Sequence, residues 1–336
     1  MSEINIRQLA KELNLSIGTV SKALRNSHEI SAQTKEKVFS LAKELNYVPN
    51  PYASSLRRKK SNTIGIVVPE IADSFFSHAI KGIESVAQGK GYHALVYLTE
   101  ENFLREISIL KEFNSGRVDG VLMSISSETS NIDHIQELSD HNIPLVLFDR
   151  TADEITTTKI TTDDFESSYK ATQHLIKRGC KKIYYLSISK HLSINNKRIL
   201  GFSKALSDFK IKSDKNNIIQ CSNSSKENNQ ILQKIFQSDK RPDGIIASVE
   251  KLTTPVYIAC KELQINIPRE VKIISFSNSE AAPILNPSLT TITQPAFEMG
   301  KKAATILFKA IEKKNYRLPN ENVIISSSLI IRESTG

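Results

Sequence analysis

The sequence predicts an α-helical helix-turn-helix headpiece followed by an α/β body of two parallel, doubly wound sheets. Three observations predict it. Two short amphipathic segments flank a tight turn within the first 26 residues. Positive charge is concentrated at that end. From residue 63 onward, short β-rich apolar runs alternate with helical stretches.

Ile6, Leu9, Ala10 and Leu13 recur at helical spacing, Asn14-Leu15-Ser16 interrupts them, and Ile17–Leu24 begins a second helix with Ser16 as its N-cap. Such a unit places its second helix in the DNA major groove. Ordinary bundles also contain two helices around a turn, so surface and charge have to decide. The second helix offers Gly18, Thr19 and Ser21 with Lys22 and Arg25 nearby, polar and basic groups of the kind a groove-facing surface needs. Residues 1–60 hold eleven Lys and Arg against five Asp and Glu, so they carry +6 of the whole chain's +9. Ser31 is placed to cap a third helix with Val38, Leu41, Ala42 and Leu45 on its inner face. Pro49-Asn50-Pro51 is expected to end it.

Ile6-Arg7-Gln8-Leu9-Ala10, Leu15–Leu24, Ile30-Ser31 and Leu45-Asn46-Tyr47-Val48-Pro49-Asn50 resemble the headpiece of the LacI/GalR family, and the resemblance runs to about residue 335. It implies a DNA-binding regulator, with Ser16, Ile17, Gly18, Thr19, Ser21, Lys22, Arg25 and Asn26 at the DNA. Ile17 and Gly18 depart from the family, many of whose members carry larger polar residues there. Hydrogen bonding to bases from that first turn is therefore expected to be poor. By composition, 51–60 is a solvated basic linker. It also resembles the family's hinge helix, with the Ala-x-x-Leu spacing kept in Ala53 and Leu56. There Leu56 would wedge into the minor groove, and Arg57, Arg58, Lys59 and Lys60 would hold phosphates.

In the body, strands are expected near 63–68, 94–98, 120–123, 145–148, 183–186, 244–247 and 271–276. Helices are expected near 75–89, 102–114, 165–178, 195–209 and 251–263, and a helix 296–313 and a strand 323–325 follow. This alternation means parallel sheets covered on both faces. The resemblance implies the type I periplasmic-binding-protein fold: two lobes, three crossovers and a cleft. The expected division is a headpiece 1–48, a hinge 49–61 and an effector-binding domain 62–336. Its first lobe takes about 62–162 and 295–322, and its second about 163–292 and 323–336.

Cys180, Cys221 and Cys260 are widely spaced and form no CxxC, which suits buried thiols in a reducing cytosol. No apolar run approaches a membrane span of about 18 residues, and no signal-peptide core opens the chain. The expected location is the bacterial cytoplasm, at the nucleoid, with no membrane partner. There is no GxGxxG or GxxxxGK[ST] after the first strand, no HxH or HExxH, and no GxSxG. No catalytic residue, metal ligand or cofactor is expected. Asp163-Asp164 precedes a helix and reads as N-capping with dipole complementarity.

Parallel α/β sheets bind ligands at the carboxyl ends of their strands. Asp73, Phe75 and Phe76 follow the first strand. The aromatic pair suits a core by itself and a ligand platform by the resemblance. Ser124 follows the third strand and Asp149 the fourth. Arg198-Ile199-Leu200-Gly201-Phe202 resembles the family's Arg-x-x-Gly-Phe, whose arginine reaches the ligand; its fork matches a vicinal diol or a carboxylate. Ser248, Ser277, Asn278 and Gln294 complete the effector-binding set that the resemblance implies. Ser248-Val249-Glu250 and Ser277-Asn278 stand where members often carry carboxylates, so the pocket is expected to be less negative than usual. That favours an acidic sugar or a sugar phosphate among carbohydrate effectors. The expected function is a repressor that binds palindromic double-stranded operator DNA as a homodimer, since no leucine heptad follows the last strand. The alternatives are a corepressor-dependent regulator, or a sugar-modifying α/β enzyme fused to a DNA-binding module.

Overall fold

The computed structural model describes residues 4–47, 60–188, 192–211, 217–313 and 316–336. The expected hinge helix, with Leu56, Arg57, Arg58 and Lys59, lies outside them. The chain divides into two compact units, Met1–Ser61 and Asn62–Gly336.

The first unit holds α1 (Ile6–Glu12), α2 (Ile17–Leu24) and α3 (Ala32–Glu44). Each start has its own cap. Asn5 Oδ1 accepts from the backbone of Arg7 and Gln8, and Gln8 Oε1 accepts from Asn5 N in return. Ser16 Oγ accepts from Thr19 N at 3.1 Å, and Ser31 Oγ from Thr34 N at 3.3 Å. Between α1 and α2 the chain turns at Asn14, whose φ is 51°. Leu9, Val20, Ala23 and Val38 are fully buried where the three helices meet. The third helix ends before the prolines that were expected to stop it. Leu45 is its C-cap, and Asn46 at φ 50° turns the backbone into the left-handed region.

The second unit begins with β1 (Thr63–Val68), α4 (Ser74–Gly89), β2 (His93–Leu98), α5 (Phe103–Glu112), β3 (Gly120–Met123), α6 (Asp133–Asp140), β4 (Leu145–Phe148) and β5 (Lys159–Thr162). There follow α7 (Asp164–Lys177), β6 (Ile183–Ser187), α8 (Ser193–Asp208), β7 (Ile218–Gln220), α9 (Ser225–Gln237), β8 (Gly244–Ala247), α10 (Thr253–Glu262), β9 (Lys272–Phe276) and β10 (Thr290–Thr293). Then come α11 (Ala296–Glu312), β11 (Asn322–Ile325) and β12 (Ser328–Ile330). One sheet has the order β11-β5-β4-β3-β1-β2 and is parallel throughout; the other is β12-β10-β9-β8-β6-β7, antiparallel only at β12. Each sheet is the floor of one lobe. The chain crosses between lobes after β5, after β10 and after β11.

One expected boundary moves. Residues 323–325 were assigned to the second lobe, but β11 pairs with β5 of the first, Val323 beside Ile160. The final crossing therefore comes after Ile325, and only β12 and the closing turn belong to the second lobe.

Strands buried on both faces need apolar side chains on both. Every residue of β3 and β4 is buried. On one face of the first sheet, Ile64, Ile66 and Phe148 pack with Phe76 and Ile83 of α4 and with Met299 and Leu307 of α11. On the other, Val67, Val121 and Leu147 meet Leu110, Phe113 and Leu138. The contact of α4 with α11 depends on missing side chains: a Cβ on Gly82 would stand 2.1 Å from Phe297 O, and one on Gly300 2.0 Å from Ala79 O. Gly82→Ala should therefore cost about 1–3 kcal/mol or more through overpacking. Gly89→Ala, at the open end of the same helix with nothing within 4 Å, should add about 0.5–1 kcal/mol. Urea unfolding midpoints should move in opposite directions for the two variants.

Candidate functional site

The headpiece leaves the start of α2 uncovered. Ile17 is 43% exposed, Gly18, Thr19 and Ser21 are half-buried, and Ser16, Lys22, Arg25 and Asn26 are exposed. A Cβ on Gly18 would meet nothing closer than Ser16 Oγ at 3.6 Å, so packing does not require glycine there. The face is thus short, with one apolar side chain and hydroxyls, suited to contact with a thymine methyl. Lys22 is not free, because its ammonium pairs with Glu29 and holds that carboxyl below its ordinary range. Arg25 Nε donates to Ser21 O at 2.9 Å.

The cleft between the two lobes lies at the carboxyl ends of the strands. The cavity it encloses is about 40 Å³, room for a few waters at most with the lobes in this arrangement. Asp73, Phe75, Phe76, Asp149, Arg198, Ser248, Ser277, Asn278 and Gln294 all line it. Ser124 does not. It is fully buried behind the wall, where its Oγ accepts from Arg150 N at 3.4 Å. Residues not assigned to the site from the sequence also face the space: Arg150, Asn195, Glu250 and Phe276. Asn195 was legible, since it lies one helical turn before Arg198 on the same face of α8.

Both arginines are already neutralised from within their own lobes. Arg150 Nη1 meets Glu101 at 2.7 and 3.0 Å, and its guanidinium lies 5.7 Å from the Phe76 ring centre. Arg198 Nε donates to Asp164 Oδ1 at 2.8 Å and Nη1 to Ser248 O at 2.6 Å, with the guanidinium 3.9 Å over Phe276. Its Nη2 is buried with no hydrogen-bond partner among the described residues. Asp163 stands at the N-cap of α7 and Asp164 in its first turn, as expected, but the Asp163 side chain makes no cap hydrogen bond. Asp164 is the counter-ion of Arg198. Asp163 Oδ1 accepts from Ser167 Oγ at 2.9 Å and from Ser327 N at 2.7 Å, which ties two crossovers together.

The expectation of a less negative pocket fails for the same reason. Asp73, Asp149 and Glu250 all face the cleft, while the two arginines are balanced by Glu101 and Asp164. Burial pushes the Asp149 carboxyl up to about 6 against the pull of Arg150 and Arg198. Burial, reinforced by the charge of Glu250, pushes Asp73 up to about 6. Asp149 Oδ1 keeps a long hydrogen bond, 3.5 Å, from Gln294 Nε2.

A carboxyl whose pKa is raised on folding favours the native state where it is protonated. That contribution is complete below the ordinary aspartate pKa of about 3.8 and is lost as pH rises through about 6. Asp149→Asn should accordingly raise the melting temperature more near pH 7.5 than near pH 5. A gain that is equal at both pH values would show that Asp149 titrates normally.

Two family models match the chain: "Bacterial regulatory proteins, lacI family" over residues 5–50 and "Periplasmic binding protein-like domain" over residues 172–335. An HTH-type transcriptional repressor PurR of Vibrio atlanticus is 30% identical over 313 residues, 93% of each chain. The HTH-type transcriptional regulator RegA of Clostridium saccharobutylicum is 28% identical over 98% of this chain and 99% of its own. The lac repressor dimer bound to operator and an anti-inducer shares the fold at a TM-score of 0.84, with 19% identity and 99% of both chains covered. A LacI family regulator from Enterococcus faecium with bound ribose is 26% identical at a TM-score of 0.72, over 81% of this chain and 98% of that one. The named relatives are transcriptional regulators rather than enzymes, which removes the enzyme alternative. The chain belongs to the LacI family of bacterial transcriptional regulators.

Proposed function

We propose that the protein represses transcription as a homodimer on a palindromic operator, and that a neutral, hydroxyl-rich molecule in the cleft, a sugar, controls its DNA affinity. The observation that carries the ligand reading is the mixture of groups left to meet it. Arg198 Nη2 is a buried donor in want of an acceptor. Asp149 is a buried acceptor and Asp73 a partly buried one, both held reluctantly charged. A hydroxyl both donates and accepts, so a vicinal diol satisfies the two kinds together. A carboxylate or phosphate would answer Arg198 but meet Asp73, Asp149 and Glu250 with like charge. Phe75, Phe76 and Phe276 offer apolar faces to the ring carbons of a sugar.

The related structures agree in kind, one carrying ribose and another, at 20% identity and a TM-score of 0.73, being a complex with cellobiose. Pairing of two copies is supported by apolar side chains left at the surface: Ile71, Leu95 and Val96 in the first lobe, and Ile258 and Ile284 in the second.

The test is a melting-temperature panel of neutral mono- and disaccharides against uronates and sugar phosphates. It is followed by titration of an operator selected from random DNA, with and without the best ligand. A neutral sugar should raise the melting temperature and change operator affinity about 5–150-fold, a coupling of about 1–3 kcal/mol. Log affinity for operator should fall steeply and linearly with log salt, as counterions are released from DNA. A uronate or sugar phosphate as best ligand would reverse the charge reading. A flat salt response would remove the operator.

A further inference from the structure

We propose that Glu250 is a built-in occupant of the cleft, which joins the lobes through its own carboxylate when no effector is present. This rests on reading the cleft as the effector site. Glu250 lies in the turn after β8, in the second lobe. Its carboxylate accepts from Ser277 Oγ at 2.7 Å and Asn278 N at 3.0 Å in that lobe. It also reaches the first lobe, where Oε1 accepts from Ser74 N at 3.3 Å and Oε2 from Ser74 Oγ. Ser74 is the first residue of α4, so the carboxylate sits at the positive end of a 16-residue helix. The next residue repeats the crossing: Lys251 Nζ meets Glu70 Oε1 at 2.9 Å.

An effector reaching this corner of the cleft would meet the same donors on both walls. Here a side chain already holds them, and the charge it places there also raises Asp73. Closure is therefore set first by an internal bond, and effector works against or around it. The same carboxylate fills the anion-binding end of α4, so acidic ligands are shut out of that corner by a group of the protein itself.

The experiment uses the full chain without sugar. Donor and acceptor dyes on Glu84→Cys and Lys226→Cys, both exposed positions on opposite lobes, report closure. The native cysteines are buried, with thiols pushed up to about 12, and should not label. Glu250→Ala should lose the high-transfer, closed signal, and Ser74→Ala should lose part of it. Sodium acetate should restore closure in Glu250→Ala by refilling the vacated place. It should do nothing to the parent protein, nor should sodium chloride at equal ionic strength restore closure. Wild-type transfer in both variants would overturn the proposal, as would an open Glu250→Ala protein that folds normally but ignores acetate. Because no sugar enters, failure here is separate from failure of the sugar panel on the unsubstituted protein.

Discussion

The second lobe is organised around one buried ion pair, Arg198 with Asp164, whose side chains are 4% and 1% exposed. The pair forms because α7 and α8 come unusually close. A Cβ on Gly201 would stand 2.1 Å from Phe165 O, so only glycine lets α8 carry Arg198 to the first turn of α7. Phe202 follows and packs on Tyr185 in the sheet. The Arg-x-x-Gly-Phe pattern is thus a single device: the arginine is the reach, the glycine the approach, the phenylalanine the anchor. Truncating such an arginine strands a buried carboxylate, at a cost typically of about 3–5 kcal/mol. Arg198 is therefore part of the frame as well as of the cleft wall, and its Nη2 has no hydrogen-bond partner among the described residues.

The first lobe repeats the arrangement with different parts. Arg150 projects at the cleft, but Glu101 holds it, and Ser127 N donates to that same carboxylate at 2.8 Å. Glu106, fully buried, accepts from Ser126 N and from Thr129 Oγ1 and pairs with His134 Nε2 at 2.9 Å, so the loop after β3 is pinned behind Arg150. With both cations balanced from behind, the carboxylates decide the character of the cleft. An arginine in a pocket says little about ligand charge until its own counter-ion is located.

The helical periodicity of the headpiece and the long apolar strands were plain in the sequence, because 3.6-residue spacing and runs such as Leu145–Phe148 leave few alternatives. Four strands were not singled out: 159–162, 218–220, 290–293 and 328–330. They are three or four residues long, and two of them read Lys-Ile-Thr-Thr and Thr-Thr-Ile-Thr, patterns that neighbours complete rather than propensity. The strand-end rule pointed to Asp73, Phe75, Phe76 and Asp149, and the family resemblance to Arg198, Ser248, Ser277, Asn278 and Gln294. The charge of the cleft did not follow, because it depends on partners far away in sequence. Glu101 reaches Arg150 across 49 residues and Asp164 reaches Arg198 across 34. Glu250, visible in the sequence but not placed by it, takes hydrogen bonds from Ser74 across 176. No local pattern announces such contacts.

The cleft and the crossovers share residues, so a group bound in the cleft would act on the connections between the lobes. Gln294 sits on the crossover after β10. Its backbone is bonded to Asn278 of the second lobe, with Asn278 Nδ2 donating to Gln294 O at 2.6 Å and Gln294 N donating back to Asn278 Oδ1 at 3.1 Å. Its side chain turns the other way, to Asp149 and to Thr162 of the first lobe at 3.5 and 3.4 Å. Any rotation of the lobes must pass through these connections, and the weakest of them ends on Asp149, a cleft carboxylate. Under the proposed function, a ligand hydroxyl that takes Asp149 would compete with Gln294 for the same oxygen and loosen the crossover; one that bridges the two would tighten it. The sign of the proposed response would then depend on which atom the ligand engages, within a differential affinity of a few kcal/mol between lobe arrangements. One scaffold can in this way be released by one ligand and engaged by another, without any change to the frame held by Arg198.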